Sequence, residues 1–330
     1  MGHLWEQVER VFLEVTNHCN FHCAFCPQAI STRAPRHMDL ALAKDLIQQL
    51  YSVGYRKNLY FHLLGEPLLY PALFDLLQYT TERLPRSILF TNGSLLTTPT
   101  IRSIFKATPF ELMISMQTVD AATYAGRSSS LGWEEYVTRI RNTVQYKLTH
   151  ATPTRLRISV GLRNEESPYP HDAFFPRVTP THVRDHILTF FNTIPGFTDP
   201  RVDRLRSMIF PFRGALELAP GVFLSIKAMG NWRRLYREEA VERGYCPHIG
   251  TELGILSNGD LVLCHLDYEG HTTFANATGN QLSTVLADET VRHEIAGLRT
   301  QGIVPPRCQH CIVPTQHAVT GDPESQRFEA

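Results

Sequence analysis

The sequence predicts an α/β fold: a barrel of parallel strands and helices, complete or partial, followed by a small α+β domain. Between residues 10 and 162, five short apolar stretches alternate with segments of helical periodicity, which is the pattern of repeated βαβ units. No glycine-rich phosphate loop joins these segments, which favours a barrel over a doubly wound sheet. Beyond about residue 240 the pattern changes to a hairpin, a helix and a cysteine-bearing loop.

The strands and helices of the predicted barrel follow one another along the first half of the chain. The strands cover residues 10–16, 58–65, 87–93, 110–117 and 155–162. The helices cover residues 39–54, 71–84, 97–107 and 133–148. Asp39 is a suitable N-cap for the first helix, and Gly54 is a suitable end. Because barrel chemistry lies at the carboxyl ends of strands, we expect the segments that follow the strands on one rim.

The middle of the chain departs from this alternation. Residues 163–181 carry four prolines and are predicted to be an inserted loop. The elements predicted after it are a helix over 182–193, a strand near 206–212, a pair of strands within 214–227 and a helix over 231–244. We expect this inserted region to determine substrate specificity.

The last part of the sequence predicts a separate small domain. Residues 252–267 form two alternating strands around Asn258-Gly259, a dipeptide typical of a type I′ hairpin turn. A helix is predicted over 282–302, capped by Ser283 or Thr284, before a proline-fixed loop over 305–311. The domains are therefore expected at 1–240 and 241–318, with 319–330 as a disordered tail.

Composition excludes several classes of protein. The 330 residues are 43% hydrophobic, enough for a large core, and carry 32 basic and 32 acidic side chains. This balance argues against a nucleic-acid partner, since such binding needs an excess of positive charge. No apolar run is long enough to span a membrane, and the first residues do not form a signal peptide. The seven cysteines fall into two groups, which suggests metal binding in a reducing, cytoplasmic compartment.

The first cysteine group lies in "TNHCNFHCAFCPQ", directly after the first strand. Cys19, Cys23 and Cys26 supply three thiolates, one fewer than a closed structural site needs. A cluster with three protein ligands keeps one metal position open, as catalytic metal sites do. The alternative is a zinc knuckle that takes His18 or His22 as its fourth ligand.

With this Cys-x3-Cys-x2-Cys spacing after a first strand, the chain resembles the radical S-adenosylmethionine (radical SAM) enzymes. The resemblance implies a partial (β/α)6 TIM-like barrel and a 4Fe–4S cluster whose open iron binds S-adenosylmethionine. One electron then cleaves the sulfonium to a 5′-deoxyadenosyl radical, which takes a hydrogen atom from the substrate. An external electron donor of the flavodoxin or ferredoxin type is implied as a partner.

Further motifs carry the same resemblance at the predicted strand ends. "LGEP" at 64–67 is similar to the family's Gly-Gly-Glu-Pro segment, with Leu64 in place of the first glycine. The resemblance implies that Gly65 and Glu66 receive the methionine ammonium of S-adenosylmethionine. It further implies contacts with the adenine, the ribose and the carboxylate, from Phe25, Ser115, Gln117 and Arg127. An arginine fork suits a carboxylate partner.

The second cysteine group supplies four thiolates, enough to close a coordination sphere. Its members are Cys246, Cys264, Cys308 and Cys311. Taken alone, these residues fit a zinc site as well as an iron–sulfur cluster. The layout resembles the short auxiliary-cluster extension of the radical SAM family called twitch, and in part the longer SPASM pattern. The resemblance implies a second 4Fe–4S cluster.

The resemblance to twitch-bearing aminocyclitol dehydrogenases implies oxidation of a small sugar-, aminocyclitol- or nucleoside-like substrate. Three plus four ligands use all seven cysteines, which leaves no thiol as a hydrogen donor and favours oxidation over epimerisation. Tyr124, Asp267 and Tyr268 are candidates for proton transfer. The first strand begins near residue 10, so no leader-recognition domain is expected before it, which disfavours a peptide maturase. A non-catalytic iron–sulfur or zinc protein is the alternative of another class.

Overall fold

A computed structural model describes residues 7–163, 180–194, 214–229, 236 and 238–311. By its internal contacts the chain divides into two compact units. The first comprises Met1–His18, Pro27–Ser87 and Trp232–Ala330, and the second comprises Cys19–Cys26 and Ile88–Asn231. These two units differ from the domains expected on either side of residue 240, and that domain boundary stays a prediction.

Strands and helices alternate through most of the described chain. The strands are β1 (Arg10–Leu13), β2 (Asn58–Phe61), β3 (Ser87–Thr91), β4 (Glu111–Gln117), β5 (Arg155–Arg163), β6 (Ala215–Ala219), β7 (Val222–Met229), β8 (Glu252–Ile255), β9 (Asp260–Val262) and β10 (Ala275–Asn276). The α-helices are α1 (Leu40–Ser52), α2 (Leu73–Thr81), α3 (Thr98–Ala107), α4 (Ala121–Tyr124), α5 (Trp133–Thr149), α6 (Pro180–Asn192), α7 (Leu282–Val285) and α8 (Glu289–Gln301).

In the first unit, β1 is the centre of the strand arrangement. It pairs in parallel with β2 on one side and with β8 on the other, so that Arg10 lies opposite both Asn58 and Glu252. An antiparallel meander of β8, β9 and β10 continues the order. Helix α1 begins at the N-cap Asp39, as predicted, and buries Leu46 and Leu50.

In the second unit, β3, β4, β5 and β7 pair in parallel in that order, and β6 adds an antiparallel edge. The pair of strands predicted within 214–227 is confirmed as the β6–β7 hairpin. Helix α5 packs its buried side chains, including Tyr136 and Ile140, on this unit's core. Parallel strands with helical crossovers confirm the α/β class that the sequence predicts.

Two predicted helices differ from the described structure; residues 231–235 and 237 of the first lie outside the described residues. Residues 238–244 of the helix predicted over 231–244 are not helical, and Tyr236 bridges to Cys311 while Arg243 bridges to Ile303. Backbone pairing with the cysteine-bearing loop therefore overrides helix propensity. The helix predicted over 282–302 is two helices, α7 and α8, because the side chain of Asp288 accepts a bond from Val291 N and begins a new helix.

The predicted hairpin turn also differs in type. A type I′ turn needs positive φ at both central residues, but of Asn258 and Gly259 only Gly259 has it, at 88°. Gly259 N donates to Leu256 O at 2.8 Å, and Leu256 N donates to Asp260 O at 2.8 Å, which defines a three-residue loop ending in a left-handed glycine. The inserted loop over 164–179, the strand near 206–212 and the tail 319–330 lie outside the described residues.

A buried ion pair ties the segment after the first cysteine loop to the hairpin of the first unit. Glu14, fully buried after β1, accepts Arg33 Nη1 at 3.0 Å and a second bond from Arg33 Nη2. The same carboxylate accepts Ser257 N at 3.1 Å and Ser257 Oγ at 2.8 Å. Arg33 also donates to the carbonyl of Tyr268 at 2.9 Å. One carboxylate thus fixes three segments that are distant in sequence.

Among the described residues, no helix is both long enough and apolar enough to cross a bilayer.

We expect Glu14→Gln to lower the free energy of unfolding by about 3–5 kcal/mol, because it leaves the partly buried Arg33 guanidinium without its counter-charge. Thermal or denaturant unfolding of the anaerobically purified protein measures this change. The matched control is Glu9→Gln, which removes an exposed pair with Lys57 and should cost about 1 kcal/mol or less. Equal losses of unfolding free energy in the two variants would show that the buried ion pair stabilises the protein no more than the exposed pair does.

Candidate active site

The three-cysteine loop is a tight turn whose cysteines form no disulfide. All seven cysteines lie among the described residues and none forms a disulfide. Cys26 N donates to Cys23 O at 3.0 Å, which closes the turn between these two residues. Phe21 N donates to Cys19 Sγ at 3.5 Å, and such N–H···S bonds stabilise a thiolate. Cys19, Cys23 and Cys26 are all partly exposed, as metal ligands at an open site must be.

The loop is held from outside by the segment 125–128. His22 N donates to Ser128 O at 3.4 Å and Ala24 N donates to Gly126 O at 3.0 Å, so two strips of backbone pair. Phe21, between the first two cysteines, is buried and lies under the Arg127 guanidinium at 4.6 Å. The cysteine loop therefore rests on a rigid support within the second unit.

Asn92, from the "TNG" segment after β3, contacts the first cysteine directly. Its Nδ2 lies 3.8 Å from Cys19 Sγ and 3.0 Å from Asn20 Oδ1. Its Oδ1 accepts Ser94 N at 2.8 Å, which fixes the orientation of the amide. Asn92 thus donates to the thiolate from a held position, which is the role of an outer-sphere partner at a metal site.

Arg127 is buried and bonded to protein groups. Its Nη1 donates to the carbonyls of Ser115 and Met116 and to Tyr136 Oη, each at 2.8 Å, and the residue is 2% exposed. Burial alone would lower the pKa of Arg127, but Tyr136 and Cys23 together raise it above its ordinary value. The guanidinium therefore stays charged and holds the end of β4.

The end of β4 is strained at Gln117. This residue has φ of 58°, and Thr118 N donates across it to Met116 O at 2.6 Å, a γ-turn that is rare for residues other than glycine. Ser115 and Gln117 remain partly exposed while Met116 is buried, so β4 presents both predicted contacts on an accessible face. Such strain is commonly kept where a side chain must be aimed.

In the first unit, "LGEP" packs against the backbone that leads into the cysteine loop. Gly65 has φ of 83°, and a Cβ there would lie 2.3 Å from Thr16 O and 2.8 Å from His18 O. Glu66 N donates to His18 O at 2.7 Å, and Glu66 Oε1 accepts Leu68 N at 3.1 Å. Glu66 is 1% exposed, a buried carboxylate suited to a cationic partner. Leu64 is buried, so the departure from the family's first glycine serves packing.

The second cysteine group gathers in the first unit around the hairpin and the last loop. The backbone N–H groups of His248 and Ile249 favour the Cys246 thiolate and partly oppose the rise of its pKa. Cys311 N donates to Cys308 O at 3.0 Å, the same turn that joins Cys23 and Cys26. Burial first, then the charges of neighbouring groups that include Cys311, raises the pKa of Cys246 to about 12. The pKa values of Cys264 and Cys308 are raised for the same reasons.

The raised pKa values of the second cysteine group indicate whether these residues fit a metal centre. Four thiols within electrostatic reach of one another cannot all ionise unless a cationic centre compensates their charge. The four cysteines of the second group therefore fit a metal site better than they fit ordinary packing of polar side chains. A zinc ion with four thiolates at about 2.3 Å would bring the sulfurs to about 3.8 Å from one another. Within the described chain, the only His, Cys, Asp and Glu group gathered within 4.8 Å is His248, Glu252 and His265, so neither cysteine set has zinc spacing.

The three candidates for proton transfer are buried and already bonded. Asp267 accepts four bonds from backbone or hydroxyl groups of residues 270–272, at 2.6 to 3.0 Å. Tyr268 is buried, and its carbonyl accepts Arg33. Tyr124 Oη donates to Leu131 O at 3.0 Å, and burial raises the pKa of that hydroxyl. Each has an evident role in the fold, and their roles in proton transfer stay predictions.

The structure adds residues that sequence reasoning missed. Asn92, Phe21 and Tyr136 support the three-cysteine loop; Tyr136 Oη donates to Asn92 O at 2.9 Å. Asn92 lies within the strand predicted over 87–93, and nothing in that stretch indicates a contact with a cysteine. Within the second unit, hydrogen bonds through Tyr136 and Asn92 link the predicted residues Arg127, Ser115 and Cys19. Phe25 is partly buried in the same loop.

Two family models match the chain. The model of the Radical SAM superfamily matches residues 13–167, which include the three-cysteine loop, "LGEP" and Arg127. The model of the SPASM iron–sulfur cluster-binding domain matches residues 246–312, which include all four cysteines of the second group.

Named relatives match shorter stretches. The "S-adenosyl-L-methionine-dependent 2-deoxy-scyllo-inosamine dehydrogenase" of Niallia circulans is 37% identical over 107 residues, which is 32% of this chain and 42% of that protein. The "AdoMet-dependent heme synthase" of Methanosarcina barkeri is 31% identical over 112 residues, which is 34% of this chain and 32% of that protein. The matches therefore span less than half the length of these relatives.

Solved structures share the fold over most of the chain. SuiB of Streptococcus suis bound to S-adenosylmethionine has a TM-score of 0.58 and 17% identity, covering 92% of this chain and 70% of SuiB. BtrN in complex with AdoMet and 2-DOIA has a TM-score of 0.51 and 16% identity, covering 88% of this chain and 87% of BtrN. The chain therefore carries a Radical SAM domain over residues 13–167 and a SPASM iron–sulfur cluster-binding domain over residues 246–312, in a fold that it shares with these solved structures.

Proposed function

We propose that the enzyme removes two hydrogens from a small hydroxyl-bearing substrate of the sugar, aminocyclitol or nucleoside class. The observation that carries this proposal is the arrangement of the cysteines: three lie on one loop, four lie around the hairpin and the last loop, and none is left over. The name of the Niallia circulans relative, a dehydrogenase of 2-deoxy-scyllo-inosamine, supports the same reaction and substrate class.

Cys19, Cys23 and Cys26 would hold a 4Fe–4S cluster with one open iron, and the second group would hold a closed one. When bound, the clusters supply the electron that cleaves S-adenosylmethionine and an acceptor for the electron that the substrate releases. The protein's part is to hold the ligands and the cofactor. Glu66 and the backbone at Gly65 would receive the methionine ammonium, since a buried carboxylate favours a cation.

The other cofactor contacts follow from the described geometry of the second unit. Ser115 and Gln117 are the accessible polar side chains at the end of β4 and would bind the ribose and carboxylate of S-adenosylmethionine. Phe25 would contact the adenine. Arg127 would act mainly by fixing the carbonyls of Ser115 and Met116, because its Nη1 is occupied by them. An external one-electron donor of the flavodoxin or ferredoxin type would supply the electrons.

Other outcomes of hydrogen abstraction are distinguishable. An epimerase must return a hydrogen atom, commonly from a thiol, and all seven cysteines are assigned as ligands here. A peptide maturase would act on a macromolecular substrate. If the proposal is right, the enzyme turns over small substrates and does not turn over a peptide. A non-catalytic metal protein would have no use for an accessible three-cysteine loop beside a strained strand end.

Cys23→Ala should abolish formation of 5′-deoxyadenosine, because two thiolates cannot hold the open-site cluster. Anaerobic protein with dithionite and S-adenosylmethionine is assayed by mass spectrometry for 5′-deoxyadenosine. In the matched double variant Cys308→Ala/Cys311→Ala, cleavage should persist while substrate oxidation is lost. Cleavage by the Cys23 variant at the wild-type rate would refute the assignment of the first site.

Gly65→Ala should weaken S-adenosylmethionine binding at least about tenfold, since a left-handed alanine costs about 1–3 kcal/mol and its Cβ meets backbone at 2.3 Å. Titration calorimetry with the reconstituted protein measures the dissociation constant. Gly54→Ala is the control, because Gly54 has φ of 76° with nothing within 4 Å of its Cβ position. An equal loss of affinity in both variants would show that the contact with Thr16 is irrelevant to the cofactor.

Incubation with 2-deoxy-scyllo-inosamine and related aminocyclitols or sugars should give a product lighter by two hydrogens. A substrate deuterated at the reacting carbinol carbon should transfer that deuterium to 5′-deoxyadenosine. Unchanged product mass with deuterium uptake from solvent would instead indicate epimerisation. Turnover of a peptide and none of these small substrates would overturn the proposed substrate class.

A further inference from the structure

A buried carboxylate lies beside two cysteines of the second group and has no part in the site described above. Glu252, 3% exposed at the start of β8, accepts His248 Nδ1 at 3.0 Å and His265 Nδ1 at 2.6 Å. Arg10, its parallel partner on β1, lies 3.0 Å from Glu252 Oε1. Three cationic or donor side chains thus converge on one carboxylate. Sequence reasoning gave no sign of this cluster.

The geometry of this cluster is that of hydrogen bonds, although its ligand atoms lie within 4.8 Å of one another. Two ligands of one tetrahedral zinc, each about 2.0–2.1 Å from the metal, would be about 3.4 Å apart. The distance of 2.6 Å between His265 Nδ1 and Glu252 Oε2 is too short for that and suits a direct bond. Arg10 also places a fixed positive charge where a metal ion would sit.

Both imidazoles belong to segments that carry cysteine ligands. His248 follows Cys246 by two residues. His265 directly follows Cys264, and its backbone N lies 3.4 Å from Glu252 Oε2. His248 O in turn accepts Thr251 N and Glu252 N, both at 3.0 Å. One carboxylate therefore holds two cysteine-bearing segments in a fixed relation.

We propose that Glu252 is a positioning residue for the auxiliary cluster: it clamps the Cys246 and Cys264 segments through His248 and His265 and sets the cluster's electrostatic environment. This inference rests on the proposed function, since it assumes an iron–sulfur cluster on the second cysteine group. A negative charge behind the ligands disfavours the reduced, more negative cluster. Glu252 therefore lowers the reduction potential of the cluster while it fixes the ligand geometry.

The experiment compares three full-length variants after anaerobic reconstitution. Glu252→Gln keeps the size and removes the charge, whereas Glu252→Asp keeps the charge on a shorter side chain. Glu111→Gln is the matched control, because Glu111 is also 2% exposed and paired with two arginines, Arg155 and Arg157, but lies in the second unit. Iron content and the midpoint potential of the auxiliary cluster, by EPR-monitored titration, are measured in each. The same titration in a Cys19→Ala/Cys23→Ala/Cys26→Ala background isolates the auxiliary signal.

We expect Glu252→Gln to move the auxiliary midpoint to a more positive potential, with Glu252→Asp closer to the wild type and Glu111→Gln unchanged. Selective loss of the auxiliary iron in Glu252→Gln, restored in Glu252→Asp, supports the same clamp. The inference would be overturned if Glu252→Gln had the same auxiliary midpoint potential and the same iron content as Glu111→Gln. Wild-type protein with zinc on the second group would instead overturn the proposed function, which separates the two failures.

Discussion

Thiolates repel one another, and a cluster site must hold several of them together before any metal compensates their charge. The chain meets this constraint with backbone and side-chain N–H donors. Cys19 receives hydrogen bonds from Phe21 N and from the side-chain amide of Asn92. Asn92 is itself fixed by the bond that its Oδ1 accepts from Ser94 N, so the folded protein holds this donor in place.

The short motifs of the sequence act through contacts that the motifs themselves do not reveal. Gly65 is required because the backbone of Thr16 and His18 leaves no room for a Cβ. Arg127 reads as a carboxylate ligand, yet its bonds hold the strained end of β4, and its neighbours 126 and 128 pair with the cysteine loop. Residues next to the chemistry thus serve mainly to keep other residues in place.

Local patterns were predictable where local physics decides them. The Asp39 cap, the β6–β7 hairpin and most barrel strands follow from residue periodicity and capping. The predicted helix through 238–244 fails because that stretch pairs with the loop of Cys308 and Cys311, a contact that periodicity does not encode. Likewise, a hairpin was evident around Gly259, but its parallel pairing with β1 was not. The Glu252 cluster was not predictable from the sequence for the same reason, since its members come together only when β8 pairs with β1.

The pairing of β1 with β8 is fixed at both ends by charge. At the amino ends Arg10 bonds Glu252, and just beyond the carboxyl ends Glu14 bonds Ser257 and Arg33. A slip of one residue in this register would turn Glu14 and Glu252 to the other face and break both sets of bonds at once. Since Cys246 and Cys264 flank the β8–β9 hairpin, the register that these two carboxylates enforce sets where these two cysteine segments lie in the first unit. The bonds of the buried carboxylates thereby fix the positions of the cysteine ligands through the register of the strands. Hydrophobic contacts alone would specify that register less sharply, because they are non-directional.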